Sequence, residues 1–413
     1  MAMSDKDRKI VRDLAAQVAA IAADPIQQQT IDLWKRHNAM QKTRPPMLLY
    51  DGTGHETGNR YELLCTDDFA RGQEAGLRGQ IYHWEHQRDD HVWRPKIECD
   101  IKIDCTPMGL SEKSTRPDHQ FGSRQFHEAL HDDADPSMIP DPVVTVDWET
   151  TNRRFEQLSE LYDGILEVYK NGVWVHWFAP LDLFITVRGI EQLMLDMIDR
   201  PQWVHAWLKR FADWEINRLK QCEALGVMTL NNDARFVGSG GEGWTDELPL
   251  KDFNGTVRMK DQWGHAAAQI FSEVSPAMHE EFALQYEAPF LNLFTLKCYG
   301  CCEPLHHKVD VIFKHVPDLR RLSMSPRADA FRGAAALGGR AIFSYKPNPA
   351  DMGMTNWDVS ILRANLKKVL DCCYANGCIP EVVMKDLHTV RGDVKRMWDW
   401  VAMARELSAE YAV

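Results

Sequence analysis

From Val173 to Ala409 the chain repeats one pattern: a short apolar run, a loop, then a longer segment with helical periodicity. The apolar runs are Val173-Trp174-Val175-His176-Trp177-Phe178, Val227-Met228-Thr229-Leu230-Asn231, residues 294–299 and 319–324, Ala341-Ile342-Phe343-Ser344, and residues 379–384. The helical segments are 190–219, 278–294, 309–314, 328–337, 359–376 and 394–409; in the last, Val394, Met397, Val401 and Ala404 share one face. Strands that alternate with helices pair in parallel through right-handed crossovers. With the N-terminal strands included, at Met47-Leu48-Leu49-Tyr50 and residues 96–104, about eight such units result, so the economical α/β fold is a (β/α)8 TIM barrel. A doubly wound open sheet is the alternative.

Ahead of this pattern, Ile10, Val11, Leu14, Val18 and Ile21, then Ile31 and Trp34, predict two helices. Residues 1–44 thus read as an N-terminal helical cap and 45–413 as a single barrel domain. Residues 65–142, after the first strand, are the least regular stretch and read as an insertion of lid-like or dimer-contact type. They hold His83, Trp84, His86, His91 and Trp93, and one alternating strand at 96–104.

A formal charge of -12 argues against a nucleic-acid partner held by phosphate neutralisation. The expectation is a cytoplasmic protein: no apolar run approaches the roughly 18 residues of a membrane span, and residues 1–6 lack a signal-peptide core. Ten cysteines in that setting read as reduced thiols. Fourteen tryptophans, several in loops, suit an aromatic-lined pocket as well as a core.

In a barrel the chemistry gathers in the loops after the strands. The first such loop, Asn231-Asn232-Asp233-Ala234-Arg235, runs into Gly238-Ser239-Gly240-Gly241-Glu242-Gly243-Trp244. Its amides, carboxylates and Trp suit a small polar ligand, or its glycines serve backbone geometry alone. The second, Lys297-Cys298-Tyr299-Gly300-Cys301-Cys302-Glu303-Pro304-Leu305-His306-His307, crowds thiols, a carboxylate and imidazoles at a strand end. Those are ligand types for zinc or another thiophilic metal, although buried cysteines also serve as small hydrophobes. The third holds Arg327, to grip an anion or to pair with Asp329. The fourth, Lys385-Asp386-Leu387-His388-Thr389, places Asp386 and His388 on one face, as ligands or as an acid and its orienting partner. Cys372, Cys373 and Cys378, in or just after a helix, read as packing.

These loops carry a resemblance to the uroporphyrinogen decarboxylase superfamily and, within it, to its cobalamin-dependent, O-demethylase-like methyltransferases. The matching stretches are Val237-Gly238-Ser239-Gly240-Gly241, Thr245-Asp246-Glu247-Leu248-Pro249, Tyr299-Gly300-Cys301-Cys302-Glu303-Pro304, residues 317–326, Lys346-Pro347-Asn348-Pro349 and Lys385-Asp386-Leu387-His388-Thr389. They span roughly residues 40–410. The resemblance implies a (β/α)8 barrel, commonly a homodimer, whose mouth faces its reaction partner. The methyltransferases usually bind zinc through a His-x-Cys pair and a late Cys. Here no His precedes Cys298 or Cys301 at that spacing, and residues 386–388 fill the late position. A mixed metal site of Cys301, Glu303 and His388 or Asp386 is what remains of it. The single Arg44 where the decarboxylases carry an arginine-rich loop argues against porphyrinogen decarboxylation.

The function expected on this basis is methyl transfer from a small methoxylated, aromatic substrate to the cob(I)alamin of a separate corrinoid protein. The expected catalytic residues are His388, Glu242 and Asp386, and the substrate contacts Asn232, Asp233, Trp244, Tyr299 and Arg327. Zinc is the candidate metal, and aromatic side chains of the insertion are expected to line the pocket. Two alternatives are a decarboxylase of a small acid, clamped by Arg235 and Arg327, and a non-catalytic corrinoid- or metal-binding accessory protein.

Overall fold

The computed structural model describes residues 3–58, 60–117 and 122–412. Two helices come first, α1 (Asp5–Ala22) and α2 (Pro25–Asn38); Ser4 and Asp24 cap them with side-chain oxygens, and Pro25 opens the second. After β1 (Met47–Leu49) come α3 (Gly54–Thr57), α4 (Asp68–His86), β2 (Lys96–Asp100) and β3 (Lys102–Cys105). A short antiparallel pair, β4 (Ser114–Thr115) and β5 (Gln125–Phe126), precedes β6 (Val144–Asp147), α5 (Trp148–Tyr162) and β7 (Glu167–Asn171). Three helices follow in a row, α6 (Pro180–Arg188), α7 (Ile190–Asp199) and α8 (Pro201–Ala224). Beyond β8 (Trp263–Ala266), a π-helical turn at Glu280–Leu284 joins α9 (Pro276–His279) to α10 (Gln285–Leu291). Regular alternation then runs to the end: β9 (Leu296–Tyr299), α11 (Val309–His315), β10 (Arg321–Met324), α12 (Ala330–Leu337), β11 (Ile342–Tyr345), α13 (Val359–Ala375), β12 (Ile379–Met384) and α14 (Lys395–Ala409).

The main sheet has six strands, all parallel, in the order β1-β12-β11-β10-β9-β8. The expected α/β class is thus observed as a six-stranded parallel sheet with two bridged stretches beside it, and regular ladders do not extend to the eight strands of the expected barrel. The runs at 173–178 and 227–231, expected as strands, form isolated parallel bridges in place of ladders: Val173 with Met228 joins the two runs, and Phe178 with Ala266 joins the first to β8. Side chains take over the ladder there. Asn231 Nδ2 donates to Trp174 O and Trp263 O, both at 3.0 Å, and its Oδ1 accepts from Trp263 N at 2.8 Å. Gln262 Nε2 donates to Val173 O and Thr229 O. At the opposite edge, the Met47 and Leu49 N–H groups donate to Asp90 and Asp89 carboxylates at 2.8 and 3.0 Å. Carboxylates thus occupy the places a further strand would use.

Other differences have local causes. The predicted helix at 190–219 breaks at Arg200, because Pro201 has no N–H to continue the first helix and opens the second. β8 was not anticipated; Trp-Gly-His-Ala carries no β-branched residue. The insertion is more regular than expected. Its α4 runs 19 residues, masked in the sequence by Gly72, Gly76 and Gly79. The single strand expected at 96–104 divides at Ile101, with β2 pairing parallel to β7 and β3 antiparallel to β6. α1, α4 and α5 pack on the β2–β7 pair around Val11, Leu14, Leu77, Leu158 and Tyr162, a core separate from that of the main sheet.

Candidate active site

A buried charged network closes the centre of the sheet. Arg321 opens β10 and its Nε lies 3.0 Å from Glu381 Oε1 in β12; His37 Nε2 from α2 lies 3.2 Å from Glu381 Oε2. Gly241 N donates to Glu381 at 3.1 Å, the Ser344 hydroxyl also donates to it, and Arg321 Nη2 donates to Asn38 Oδ1 at 2.7 Å. Burial alone would raise the Glu381 carboxyl, but Arg321 and His37 outweigh it and hold the group well below the usual range. Burial lowers His37. Lys346 Nζ donates to Ser344 O at 3.0 Å and Oγ at 2.7 Å; burial brings this lysine down to about 7, against the pull of Glu381. The glycine loop must be glycine to lie here. A Cβ on Gly240 would stand 2.4 Å from Arg321 Cδ, and one on Gly241 2.3 Å from the Trp34 ring.

Above this plug, past the carboxyl ends of β1 and β12, opens a pocket of about 430 Å³. Parallel α/β sheets present their ligand sites at this end of the strands. One wall is aromatic, from Tyr50, Trp177 and Phe236; the other is polar, from Lys385, Asp386 and His388; Gly238, Ser239 and Gly240 also line it. Trp177 and Phe236 keep 40% and 45% of their surface exposed, more apolar area than an isolated loop residue needs. Gly238 has φ +63°, and a Cβ on it would stand 2.6 Å from His265 Nδ1. His265 is buried beneath that loop against Trp177, at 4.4 Å between ring centroids, with neither ring nitrogen hydrogen-bonded. Burial takes it down to about 3, so the imidazole is neutral.

Lys385 links the pocket to the cysteine loop. Its Nζ lies 2.7 Å from Asp386 Oδ2 and 3.3 Å from Cys301 Sγ, and Cys301 Sγ is 3.5 Å from Cys302 Sγ. Burial lowers the ammonium's pKa, but Cys301 and Asp386 more than restore it, so Lys385 stays charged. The hydrogen bond from Cys301, with Lys385 nearby, brings the Cys302 thiol down to about 7; the same contact and burial push Cys301 up.

Of the catalytic, substrate-contact and metal residues expected from the sequence, Asp386 and His388 line this pocket and the others lie elsewhere. Glu242 is fully buried. It holds His91 Nδ1 at 2.7 Å and accepts from Val92 N and Trp244 Nε1, which fastens the insertion to the glycine loop. Asn232 donates to Leu248 O, and Asp233 pairs with Arg94 and Arg235. Tyr299 is buried behind the sheet, its hydroxyl 2.6 Å from both His279 Nε2 and Glu287 Oε2. Arg327 is exposed just past β10, and Asp329 is engaged in capping α12 instead of pairing with it. Arg235 is buried among Asp233, Glu98, Tyr169 and Asn171, so neither arginine clamp reaches the pocket.

Glu303 accepts from Ala268 N and Cys301 N, one to each oxygen, and so shapes the cysteine loop. Cys301, Glu303 and His388 do not converge: among the described residues no three His, Cys, Asp or Glu side chains gather as a metal-ligand set. The donors as placed do not fit zinc. The pocket's aromatic wall comes from loops of the main sheet, not from the insertion. Sequence reasoning passed over Lys385 as a functional group, although it lay inside a matching stretch, and passed over Trp177 inside a predicted strand.

No family model matches the chain, and no curated protein matches it in sequence. Among solved structures it is similar to a methyltransferase from Methanosarcina mazei, at 12% identity over 91% of this chain and 98% of that one, with a TM-score of 0.46. No helix among the described residues is long and apolar enough to cross a membrane.

Proposed function

We propose that the protein is a methyltransferase that takes a methyl group from a small methoxylated aromatic compound at this pocket and passes it to the corrinoid of a separate protein. The observation that carries the reading is the two-sided pocket at the carboxyl ends of the strands, one wall aromatic and the other headed by a charged lysine. The stretches that resemble the cobalamin-dependent methyltransferases supply the reaction class.

Trp177, Phe236 and Tyr50 provide a surface against which an aromatic ring stacks. A ring held there turns its ether oxygen toward the opposite wall. Lys385 is positioned to donate to that oxygen as negative charge develops on it, and Asp386 holds the ammonium in place. His388, at the rim, is the group able to deliver a proton to the departing phenolate. The corrinoid, reduced to cob(I)alamin on its own protein, supplies the nucleophile that accepts the methyl. Exposed Trp177 and Phe236 also give that partner an apolar surface beside the opening.

The test is direct. Incubation with a reduced corrinoid protein and a panel of methoxybenzenes should produce methyl-cobalt absorbance, with recovery of the matching phenol. Absence of transfer from O-, N- and S-methyl donors alike would overturn the reading.

A further inference from the structure

Cys301 and Cys302 are adjacent in sequence and their sulfurs stand 3.5 Å apart at the end of β9. The turn that brings them together is fixed: Gly300 takes φ +87°, and the buried Glu303 carboxylate accepts the Cys301 N–H at 2.9 Å. Cys302 is exposed, and the Lys385 ammonium lies 3.3 Å from the Cys301 sulfur. The other cysteines lack this setting. Cys65, Cys99, Cys222, Cys298, Cys373 and Cys378 are buried, and Cys105 and Cys372 are half-buried. A thiol that is accessible, stabilised as its anion by a cation and next to a second thiol has the features of a redox-reactive cysteine with its resolving partner.

We propose that Cys301 and Cys302 form a peroxide-reactive dithiol that closes reversibly into a disulfide between the two neighbouring residues. In the first step the Cys302 thiolate attacks one oxygen of hydrogen peroxide. A sulfur–oxygen bond forms, the oxygen–oxygen bond breaks, and hydroxide leaves and takes up a proton as water. In the second, the Cys301 sulfur attacks the Cys302 sulfenic acid. The sulfur–sulfur bond forms, the sulfur–oxygen bond breaks, and the hydroxide leaves as water with the Cys301 proton. Two thiols lose two electrons and peroxide gains them. Adjacent α-carbons are held about 3.8 Å apart by a trans peptide, shorter than the roughly 4.4–6.8 Å usual for a disulfide. The product is strained and easily reduced, as a reversible modification requires.

Closing the disulfide takes the Cys301 thiol from Lys385, which itself lines the pocket. Resting on the methyl-transfer reading, the consequence is an enzyme switched off by oxidation. Reduced corrinoid is an electron-rich co-reactant that peroxide also consumes, so one oxidant would stop both partners.

The experiment treats the full-length protein with equimolar hydrogen peroxide, alkylates free thiols after unfolding, and maps the cysteine peptides by mass spectrometry. The expected result is a 301–302 peptide that has lost two hydrogen atoms and taken no alkyl group, restored by dithiothreitol and absent in Cys302→Ser. It should form at least about tenfold faster than any change at Cys373 or Cys378. Full alkylation of both thiols, or sulfinic acid at Cys302 with no disulfide, would overturn the proposal. The mapping reads sulfur chemistry alone, so it succeeds or fails whether or not methyl transfer is observed. Where transfer is observed, oxidised enzyme should lose it and reduction should restore it.

Discussion

Two pairs of cysteines lie in the α/β alternation, one after β9 and one at the junction of α13 and β12, and they are alike in contact and opposite in surroundings. At the end of β9, Cys301 touches Cys302; at the end of α13, Cys373 touches Cys378. In both pairs the thiol–thiol hydrogen bond pulls one member down, Cys302 or Cys378, and pushes its partner up. Cys378 gives its other contact to the Ala334 carbonyl at 3.4 Å, and both members are sealed in the core that also holds Leu337 and Val369. Cys302 is exposed and its partner faces the Lys385 ammonium. Proximity of sulfurs therefore does not make a reactive site. Access and a neighbouring cation do.

The strongest way to break this comparison is to remove the cation. In Lys385→Met the pocket loses its oxyanion donor and the thiol pair its ammonium at once. Methyl transfer should fall about 100-fold or more in kcat, the scale seen when one preorganised donor is deleted. The same variant should alkylate Cys302 more slowly at pH 7. A variant with slow transfer and unchanged thiol reactivity would show that Lys385 serves the pocket alone.

Serine substitutions sharpen the comparison by stability. Cys373→Ser places a hydroxyl where the thiol is fully buried, and should destabilise by about 1–3 kcal/mol in urea unfolding. Cys302→Ser, on the exposed side of the loop, should change stability by less than about 0.5 kcal/mol. Equal losses would mean that the mouth pair is a packing element like the other.

The sequence shows the two groups unequally. Helical spacing from residue 359 onward marks Cys373 as a core position, and α13 is observed at Val359–Ala375. The dense 297–307 stretch marks where the β9 end lies, yet its reactive arrangement depends on Lys385, 84 residues from Cys301. No local pattern reports that contact. The main parallel sheet was legible for the same reason as α13: periodicity is local and repeated. The irregular stretches at its edges were not, because Asn231, Gln262, Asp89 and Asp90 replace strand hydrogen bonds through single side chains. Glu242 looks catalytic and Tyr299 looks like a substrate contact as residue types, but their partners His91 and His279 lie in other elements and fix them as buried structural contacts.

The mildest test leaves every residue in place and varies pH. The thiolate is the species that alkylates, and Cys302 is held down to about 7, whereas burial takes Cys65 up to about 12. The rate of iodoacetamide incorporation at Cys302 should climb about tenfold per unit below pH 7 and level above it, as the thiolate fraction saturates. Cys373 and Cys378 should remain silent across the same range in the folded protein, because the lowered member of that pair cannot be reached. If Cys378 labels with the same midpoint as Cys302, thiol contact alone controls reactivity and the ammonium is irrelevant. A midpoint for Cys302 near that of a free thiol would instead remove Lys385 and Cys301 as its controlling neighbours.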